Sequence, residues 1–153
     1  MKLIYKKLRN NAVVPFGATA MSGGLDLTAA HIEQKSPNEV IIYTGLALQP
    51  TSSKYMIRIA PRSSFTKYNW ILQNSPALGD ADYTGEYMLK FRAIPTGIEG
   101  FAQGVKLTYD EFPYKVGDRC AQMWIEEIIE TEFEEGELKD TERGEGGFGS
   151  TNK

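Results

Sequence analysis

The sequence Tyr55-Met-Ile-Arg-Ile-Ala60, followed by Pro61, is the clearest indication of the fold class. Its apolar and β-branched residues are typical of a β-strand, and Pro61 would end the hydrogen-bonded ladder because proline has no backbone N–H. Similar runs recur along the chain with glycines and prolines between them, so the sequence predicts an all-β fold of short strands and turns. One short helix is predicted near Ser63 to Trp70. The other predicted strands are Leu3 to Leu8, Val40 to Leu48, Tyr87 to Ile94, Val105 to Tyr109 and Arg119 to Ile129.

The composition of the 153-residue chain fits one globular domain. Hydrophobic residues make up 41% and charged residues 24%, which disfavours both intrinsic disorder and a membrane protein. The chain has one cysteine and therefore no internal disulfide. No apolar run approaches the roughly 18 residues of a membrane span. We therefore expect an intracellular, cytoplasmic protein without a membrane partner, or a nuclear one if the source is eukaryotic or viral.

Acidic residues are concentrated near the C-terminus. Residues 126–145 contain ten acidic side chains against Lys139 and Arg143, whereas the whole chain has a net charge of −3. This stretch would repel a nucleic-acid backbone, so we expect no nucleic-acid polymer as a partner. Its simplest interpretation is a solvated strand edge and linker. After Gly136 the composition becomes Gly-rich and polar, which divides the chain into a folded domain, 1–136, and a flexible arm, 137–153.

Two polar segments in the first half of the chain contain candidate site residues. Asp26 lies between apolar neighbours, as expected of a backbone cap or of an acid held near a metal or a basic partner. Arg62, Ser63 and Ser64 follow a predicted strand directly. They suit an anion-binding turn or an ordinary helix cap.

The segment from Asn74 to Glu86 carries three acids, one tyrosine and two glycines. Asp80 is placed to orient and deprotonate a water molecule, and Tyr83 to lie flat against a sugar or a base. A solvated β-turn is the alternative interpretation.

A fourth segment contains Gln122, the only amide in an apolar strand, which needs either backbone or ligand partners. Cys120 in the same segment is predicted to be a small buried residue and not a nucleophile, since the single histidine, His31, has no evident relationship to it. A fifth segment, Arg143-Gly-Glu-Gly-Gly-Phe-Gly-Ser-Thr151, combines one aromatic ring, one guanidinium and four glycines. It suits either a floppy terminus or a mobile flap over an aromatic, phosphate-bearing ligand.

Taken in order, the five segments resemble the five motifs of the trimeric dUTPase family, the dUTP nucleotidohydrolases. The resemblance extends from Gly24 to Thr151, and the Gly-rich tail is its most specific part. It implies a homotrimer of jelly-roll-like β-barrel subunits with three active sites at subunit interfaces. It also implies Mg²⁺-dependent hydrolysis of dUTP to dUMP and pyrophosphate, which keeps uracil out of DNA and supplies dUMP for thymidylate synthesis.

The resemblance implies a role for each matched residue. Asp80 would position the water that attacks the α-phosphorus, and Asp26 would hold metal-bound water. Asn74 would contact uracil, and Tyr83 would pack on deoxyribose and leave no room for a 2′-hydroxyl. The remaining substrate-binding residues implied are those of the phosphate turn, of the fourth motif and of the closing arm: Arg62, Ser63, Ser64, Gln122, Arg143, Gly147, Phe148, Gly149, Ser150 and Thr151.

The chain departs from the family pattern at three places. Ala77 and Gly79 replace the glycine and the β-branched residue usual before the catalytic acid, which puts the local hairpin shape in question. Ser64 stands where many members have glycine. The segment Ile94 to Pro113 is longer than the usual connection and suits either a surface loop or a partner site.

Two alternative functions follow from these features. A dCTP deaminase-like enzyme has a similar Arg-Ser-Ser segment, but an arginine commonly follows three residues after the second serine, where this chain has Lys67. A trimeric binding or regulatory module would use Ile94 to Pro113 as its contact surface. The intact Asp80, Tyr83 and Gln122 argue against lost catalysis.

Overall fold

The structure is a computed structural model that describes residues 1–100 and 104–146. These residues form twelve β-strands and one 3-10 helix, Ser63–Lys67. The strands are β1 (Leu3–Lys7), β2 (Leu25–Thr28), β3 (His31–Ser36), β4 (Glu39–Tyr43), β5 (Leu46–Pro50), β6 (Tyr55–Pro61), β7 (Trp70–Leu72), β8 (Ala77–Gly79), β9 (Met88–Ala93), β10 (Gly97–Glu99), β11 (Lys106–Thr108) and β12 (Arg119–Glu127).

Two four-stranded antiparallel sheets form the body of the fold, in the orders β2-β12-β6-β8 and β3-β4-β9-β7. Side chains from both sheets enter one hydrophobic core, among them Ile57 and Met123 from the first sheet and Ile42 and Phe91 from the second. In β9 every second side chain is buried, as the two-residue period of a strand requires. Two antiparallel ribbons, β1-β5 and β10-β11, complete the architecture. The all-β, jelly-roll-like prediction is confirmed.

The predicted strand Val40 to Leu48 is two strands, β4 and β5, which pair with different partners. The break falls at Gly45, whose φ of 71° lies in the left-handed region. A Cβ built on Gly45 would lie 2.8 Å from the Cβ of Ala12, so the close packing also requires glycine. The sequence prediction failed here because the apolar run continues across the turn.

The predicted helix Ser63 to Trp70 is shorter than expected. A 3-10 helix spans Ser63–Lys67, and Trp70 already begins β7. The buried ring of Phe65 anchors this turn in the core.

Five strands escaped the sequence analysis: β2, β3, β7, β8 and β10. Three of them have only three residues, too few to establish a period. In β2 the polar residues Asp26 and Thr28 are buried, so its hydrophobic pattern does not show the strand. β10 begins at Gly97, and glycine is a residue type that more often marks a turn or a loop.

The acidic stretch leaves the sheet after Glu127, and residues 128–145 are exposed. The domain boundary at residue 136 and the flexibility of the arm stay predictions. Among the described residues, no helix has the length and apolarity needed to cross a membrane.

Candidate active site

Three adjacent strands place two predicted site residues side by side. In the register of β2, β12 and β6, Gln122 is opposite Asp26 on one side and Ala60 on the other. Directly opposite residues in an antiparallel pair project to the same face of the sheet. Asp26 and Gln122 therefore share one face, although they are far apart in the sequence.

Asp26 is held by two arginines. Its Oδ1 lies 3.0 Å from Arg62 Nε, and its Oδ2 accepts a hydrogen bond of 2.9 Å from Arg119 Nη1. Arg62 Nη1 also donates to the Arg119 carbonyl oxygen at 3.3 Å. Asp26 is only 7% exposed, and a buried carboxylate needs such partners to compensate for lost hydration. The sequence suggested that Asp26 is either a backbone cap or an acid held near a metal or a basic partner. The structure shows that it contacts basic partners.

The turn after β6 carries the second predicted segment. Arg62 precedes the 3-10 helix in an extended conformation and forms no side-chain cap hydrogen bond. Ser63 and Ser64 open the helix and are exposed. Asp26, Arg62, Ser63 and Gln122 line a common cavity of about 250 Å³. We call these four residues the arginine half-site.

A second cavity, of about 270 Å³, brings together Asn74, Asp80 and Tyr83. We call these three residues the acid half-site. Asp80 follows β8 directly, and its carbonyl oxygen accepts a 3.2 Å hydrogen bond from the Tyr83 amide, which closes the turn. The Tyr83 hydroxyl donates to the Glu86 carbonyl oxygen at 3.0 Å. The exposed Asp80 carboxylate and the tyrosine ring thus face the same small space.

The side chain of Glu86 has a structural role in this turn. Its Oε1 accepts hydrogen bonds from the Gly45 amide at 2.8 Å and from Arg9 Nε at 3.2 Å. One of the three acids of the segment from Asn74 to Glu86 therefore connects the loop between β8 and β9 to the turn between β4 and β5.

The two half-sites lie at opposite ends of β6. Gly79 pairs with Ile57, so Asp80 lies beside the beginning of β6, whereas Arg62 follows its last residue. The register places Asp80 beside Met56, and the six residues from there to Arg62 span about 20 Å at the rise of a β-strand. Within one chain, Asp80 and Arg62 cannot both contact one phosphate group.

The departure at Gly79 has a steric counterpart. A Cβ built on Gly79 would clash with the hydroxyl of Tyr87 and lie 2.7 Å from its Cε1. β8 forms and pairs with β6 in regular register despite the unusual residues at 77 and 79.

The remaining predicted site residues are in the arm. Arg143 donates from Nε to the Gly146 carbonyl oxygen at 2.9 Å within a local turn. The other five arm residues lie outside the described residues: Gly147, Phe148, Gly149, Ser150 and Thr151.

Three residues at these sites were not predicted from the sequence. Arg119 holds Asp26, and Tyr87 and Lys90 line the cavity of the acid half-site. Alternation along β9 would have placed Lys90 on the outer face, but only the strand pairing reveals what Arg119 and Tyr87 contact.

The prediction for Cys120 is confirmed. Its side chain is fully buried, and its thiol donates to the Leu27 carbonyl oxygen at 3.4 Å. Burial raises the pKa of the thiol to about 12, so it stays protonated and unreactive near neutral pH.

Structural comparison supports the fold. A Staphylococcus bacteriophage 80alpha dUTPase with dUPNHPP has a TM-score of 0.78 and 23% sequence identity, covering 99% of this chain and 98% of that chain. A mutant dUTPase of phage phi11 of S. aureus, described with a structural Mg(II) ion, has a TM-score of 0.71 and 20% identity and covers 92% of this chain.

Sequence comparison gives the family. The dUTPase family model matches residues 104–152. The deoxyuridine 5'-triphosphate nucleotidohydrolase of Clostridium kluyveri is 39% identical over 155 residues, covering 99% of this chain and 98% of the relative. The enzyme of the same name from Hydrogenobaculum sp. is 35% identical, with the same coverage of both chains. These full-length relationships show that the chain belongs to the dUTPase family.

Proposed function

We propose that this chain hydrolyses dUTP to dUMP and pyrophosphate in a homotrimer, at sites that combine the acid half-site of one subunit with the arginine half-site of a neighbour. The observation that carries the shared site is the separation of the two half-sites along β6, about 20 Å at the rise of a strand. The relatives from Hydrogenobaculum sp. and Clostridium kluyveri are deoxyuridine 5'-triphosphate nucleotidohydrolases, which supports hydrolysis of dUTP as the reaction.

Asp80 is the proposed general base. Its exposed carboxylate orients a water molecule and accepts a proton from it while the water oxygen bonds to the α-phosphorus. The bond from the α-phosphorus to the bridging oxygen breaks on the opposite side, and its electron pair leaves with pyrophosphate. Asp80 then returns the proton to solvent.

The acid half-site also selects the nucleoside. Asn74 presents an amide that can pair with both a donor and an acceptor of uracil. The ring of Tyr83 packs against the deoxyribose and occupies the volume that a 2′-hydroxyl would need. Both side chains line the same cavity as Asp80, which supports this assignment.

The arginine half-site is proposed to bind the phosphates. The guanidinium groups of Arg62 and Arg119 both contact the single carboxylate of Asp26, so these three side chains together carry a net positive charge. Ser63 and Gln122 add a hydroxyl and an amide in the same cavity. Such preorganised donors stabilise the charge that develops on the departing pyrophosphate.

The described residues do not include a cluster of three or more His, Cys, Asp or Glu side chains able to enclose a metal ion. A site without such a cluster fits Mg²⁺, because this ion commonly binds through substrate phosphates and retains several waters. Asp26 would hold water bound to the ion. When bound, Mg²⁺ neutralises charge on the triphosphate.

The exposed segment that follows β12 supports assembly with a second copy. Phe133 and Leu138 are 97% and 96% exposed, a costly arrangement for two large apolar side chains in one segment. We infer that this segment and the arm that continues it pack on a neighbouring subunit, and that Arg143 and Phe148 complete the site over the substrate there.

Mixed trimers test the shared site. Asp80→Asn and Gln122→Ala should each be nearly inactive, because each removes one half of every site. Coexpressed as one mixed population, they should regain activity, since about one site in four combines two intact halves if subunits assort at random. Mixing the two proteins after separate assembly, under conditions without subunit exchange, is the control.

Failure to regain activity in mixed trimers of confirmed composition would contradict the shared site.

The reaction itself is tested by incubating the wild type with dUTP, dCTP, UTP and dTTP plus Mg²⁺ while pyrophosphate and ammonia are assayed. We expect pyrophosphate from dUTP alone. Ammonia from dCTP would support the deaminase alternative instead.

A further inference from the structure

Two tyrosines of the acid half-site cavity each lie over a glycine. A Cβ on Gly85 would lie 2.5 Å from the hydroxyl oxygen of Tyr83, and a Cβ on Gly79 would lie 2.7 Å from Cε1 of Tyr87. The two tyrosine rings meet edge to face, with centroids 5.4 Å apart and an interplanar angle of 80°. Tyr87 therefore contacts the ring assigned to the deoxyribose.

The backbone of Tyr87 is fixed on both sides. Its amide donates to the Leu46 carbonyl oxygen at 2.9 Å, and its carbonyl oxygen accepts from the Thr44 hydroxyl at 2.8 Å. The residue is 5% exposed. A buried ring held in this way restricts the positions open to a neighbouring ring packed on its edge.

The packing of Tyr87 against Tyr83 depends on the volume of its ring rather than on hydrogen bonds of its hydroxyl group. The hydroxyl has no hydrogen-bond partner among the described residues. Burial, with smaller contributions from Tyr83 and Asp80, raises the pKa of Tyr87 to about 12, so the phenol stays neutral near pH 7. A buried hydroxyl without a partner does not stabilise the fold, and its removal should cost little.

We propose that Tyr87, seated on Gly79, is a positioning residue that fixes the ring of Tyr83 and thereby sets discrimination against ribonucleotides. Because Gly79 has no side chain, it leaves a space beside β8 that a β-branched side chain would fill. The ring of Tyr87, the residue just before β9, occupies this space. This inference rests on the proposed function, because it assigns the sugar contact to Tyr83.

The test compares kcat/KM for dUTP and UTP in four variants. Tyr87→Val should raise the UTP/dUTP ratio of kcat/KM by about tenfold, mainly through KM, since it removes the support of the Tyr83 ring. Tyr87→Phe should keep the ratio within about twofold of the wild type. Gly79→Val alone should change the ratio and lower the melting temperature, because the valine side chain clashes with Tyr87. The double variant Gly79→Val/Tyr87→Val should partly restore both the ratio and the melting temperature.

Phe91→Val is the matched control. Phe91 is a fully buried aromatic residue that lines neither half-site cavity, so this variant should lose stability without a change in the ratio. If Tyr87→Val does not fold, Tyr87→Leu provides the same comparison with a smaller loss of volume.

An unchanged ratio in folded Tyr87→Val or Tyr87→Leu would overturn the proposal. So would an equal loss of discrimination in Tyr87→Phe, which would assign the effect to the hydroxyl. Absence of dUTP hydrolysis by the wild type would instead refute the proposed function. In that case the melting temperatures of the two single variants and the double variant still test the steric pairing, and additive losses would contradict it.

Discussion

At the scale of single residues, the two half-sites use carboxylates in different ways. Asp26 is buried and has both oxygens engaged by arginines, whereas Asp80 is exposed at the end of a strand. A carboxylate that is already paired is suited to orient its partners. One that faces an open cavity is free to bind water and accept a proton.

Asp80→Asn should lower turnover by about 10²- to 10⁴-fold, the range typical of lost general-base catalysis. Binding of a non-hydrolysable dUTP analogue should persist, because the amide keeps the size of the side chain. Single-turnover kinetics and calorimetric titration measure the two effects separately. Asp82→Asn changes a neighbouring exposed acid outside the cavity and serves as the control. Near-wild-type turnover in Asp80→Asn would exclude Asp80 as the base.

Asp26→Asn should lower the free energy of unfolding by about 1–3 kcal/mol, since two guanidinium groups lose a charged acceptor. Denaturant titration measures this change. Glu39→Gln is the control, because Glu39 faces the exposed Arg92 at 3.6 Å and such surface pairs contribute about 0–1 kcal/mol. Equal effects of the two substitutions would show that the buried clamp on Asp26 adds nothing beyond a surface ion pair.

At the scale of elements, the turn between β4 and β5 connects the second four-stranded sheet to the β1-β5 ribbon. Gly45 supplies the left-handed backbone, and its amide donates to Glu86, which follows the acid half-site. The geometry of the turn is thus linked to the loop between β8 and β9 that carries Tyr83.

Gly45→Ala should destabilise the protein by about 2 kcal/mol, because alanine disfavours a positive φ and its Cβ would crowd Ala12. In a chain of this length, that loss corresponds to a fall in melting temperature of roughly 4–8 °C. Gly136→Ala is the matched control, since a Cβ there meets nothing within 4 Å. Thermal unfolding of both variants checks the prediction, and equal melting temperatures would contradict the role of Gly45.

At the scale of the whole molecule, the arm contributes little to the packed body. Residues 128–145 are exposed, and the hydrogen bonds around Arg143 join it to Gly146 in a turn. The proposed assembly needs this segment for the substrate site of a neighbour and not for the core of its own chain.

Deletion of residues 144–153 should reduce turnover far more than the melting temperature, because the deleted residues follow an exposed segment and not a core strand. Steady-state kinetics and thermal unfolding give the two readouts, and sedimentation checks that the proposed trimer forms with and without the deleted residues. Unfolding of the truncated protein would contradict the assignment of the arm as a closing flap.

Much of the fold was predictable because its signals are local. Alternation located β6, β9 and β12, and Pro61 marked the end of a strand. The five motifs indicated the family, since each is a contiguous stretch of sequence, and the full-length relatives confirm it.

The fold class, the family and the candidate residues could be predicted from contiguous stretches of the chain, because each depends on residues that are neighbours in sequence. The folded structure was needed to show that Arg119 binds Asp26, 93 residues away, and that the ring of Tyr87 packs against Gly79. It also placed the two half-sites at opposite ends of β6. The physical reason is that strand register is set by burial summed over whole sheets, which no single segment of the sequence contains.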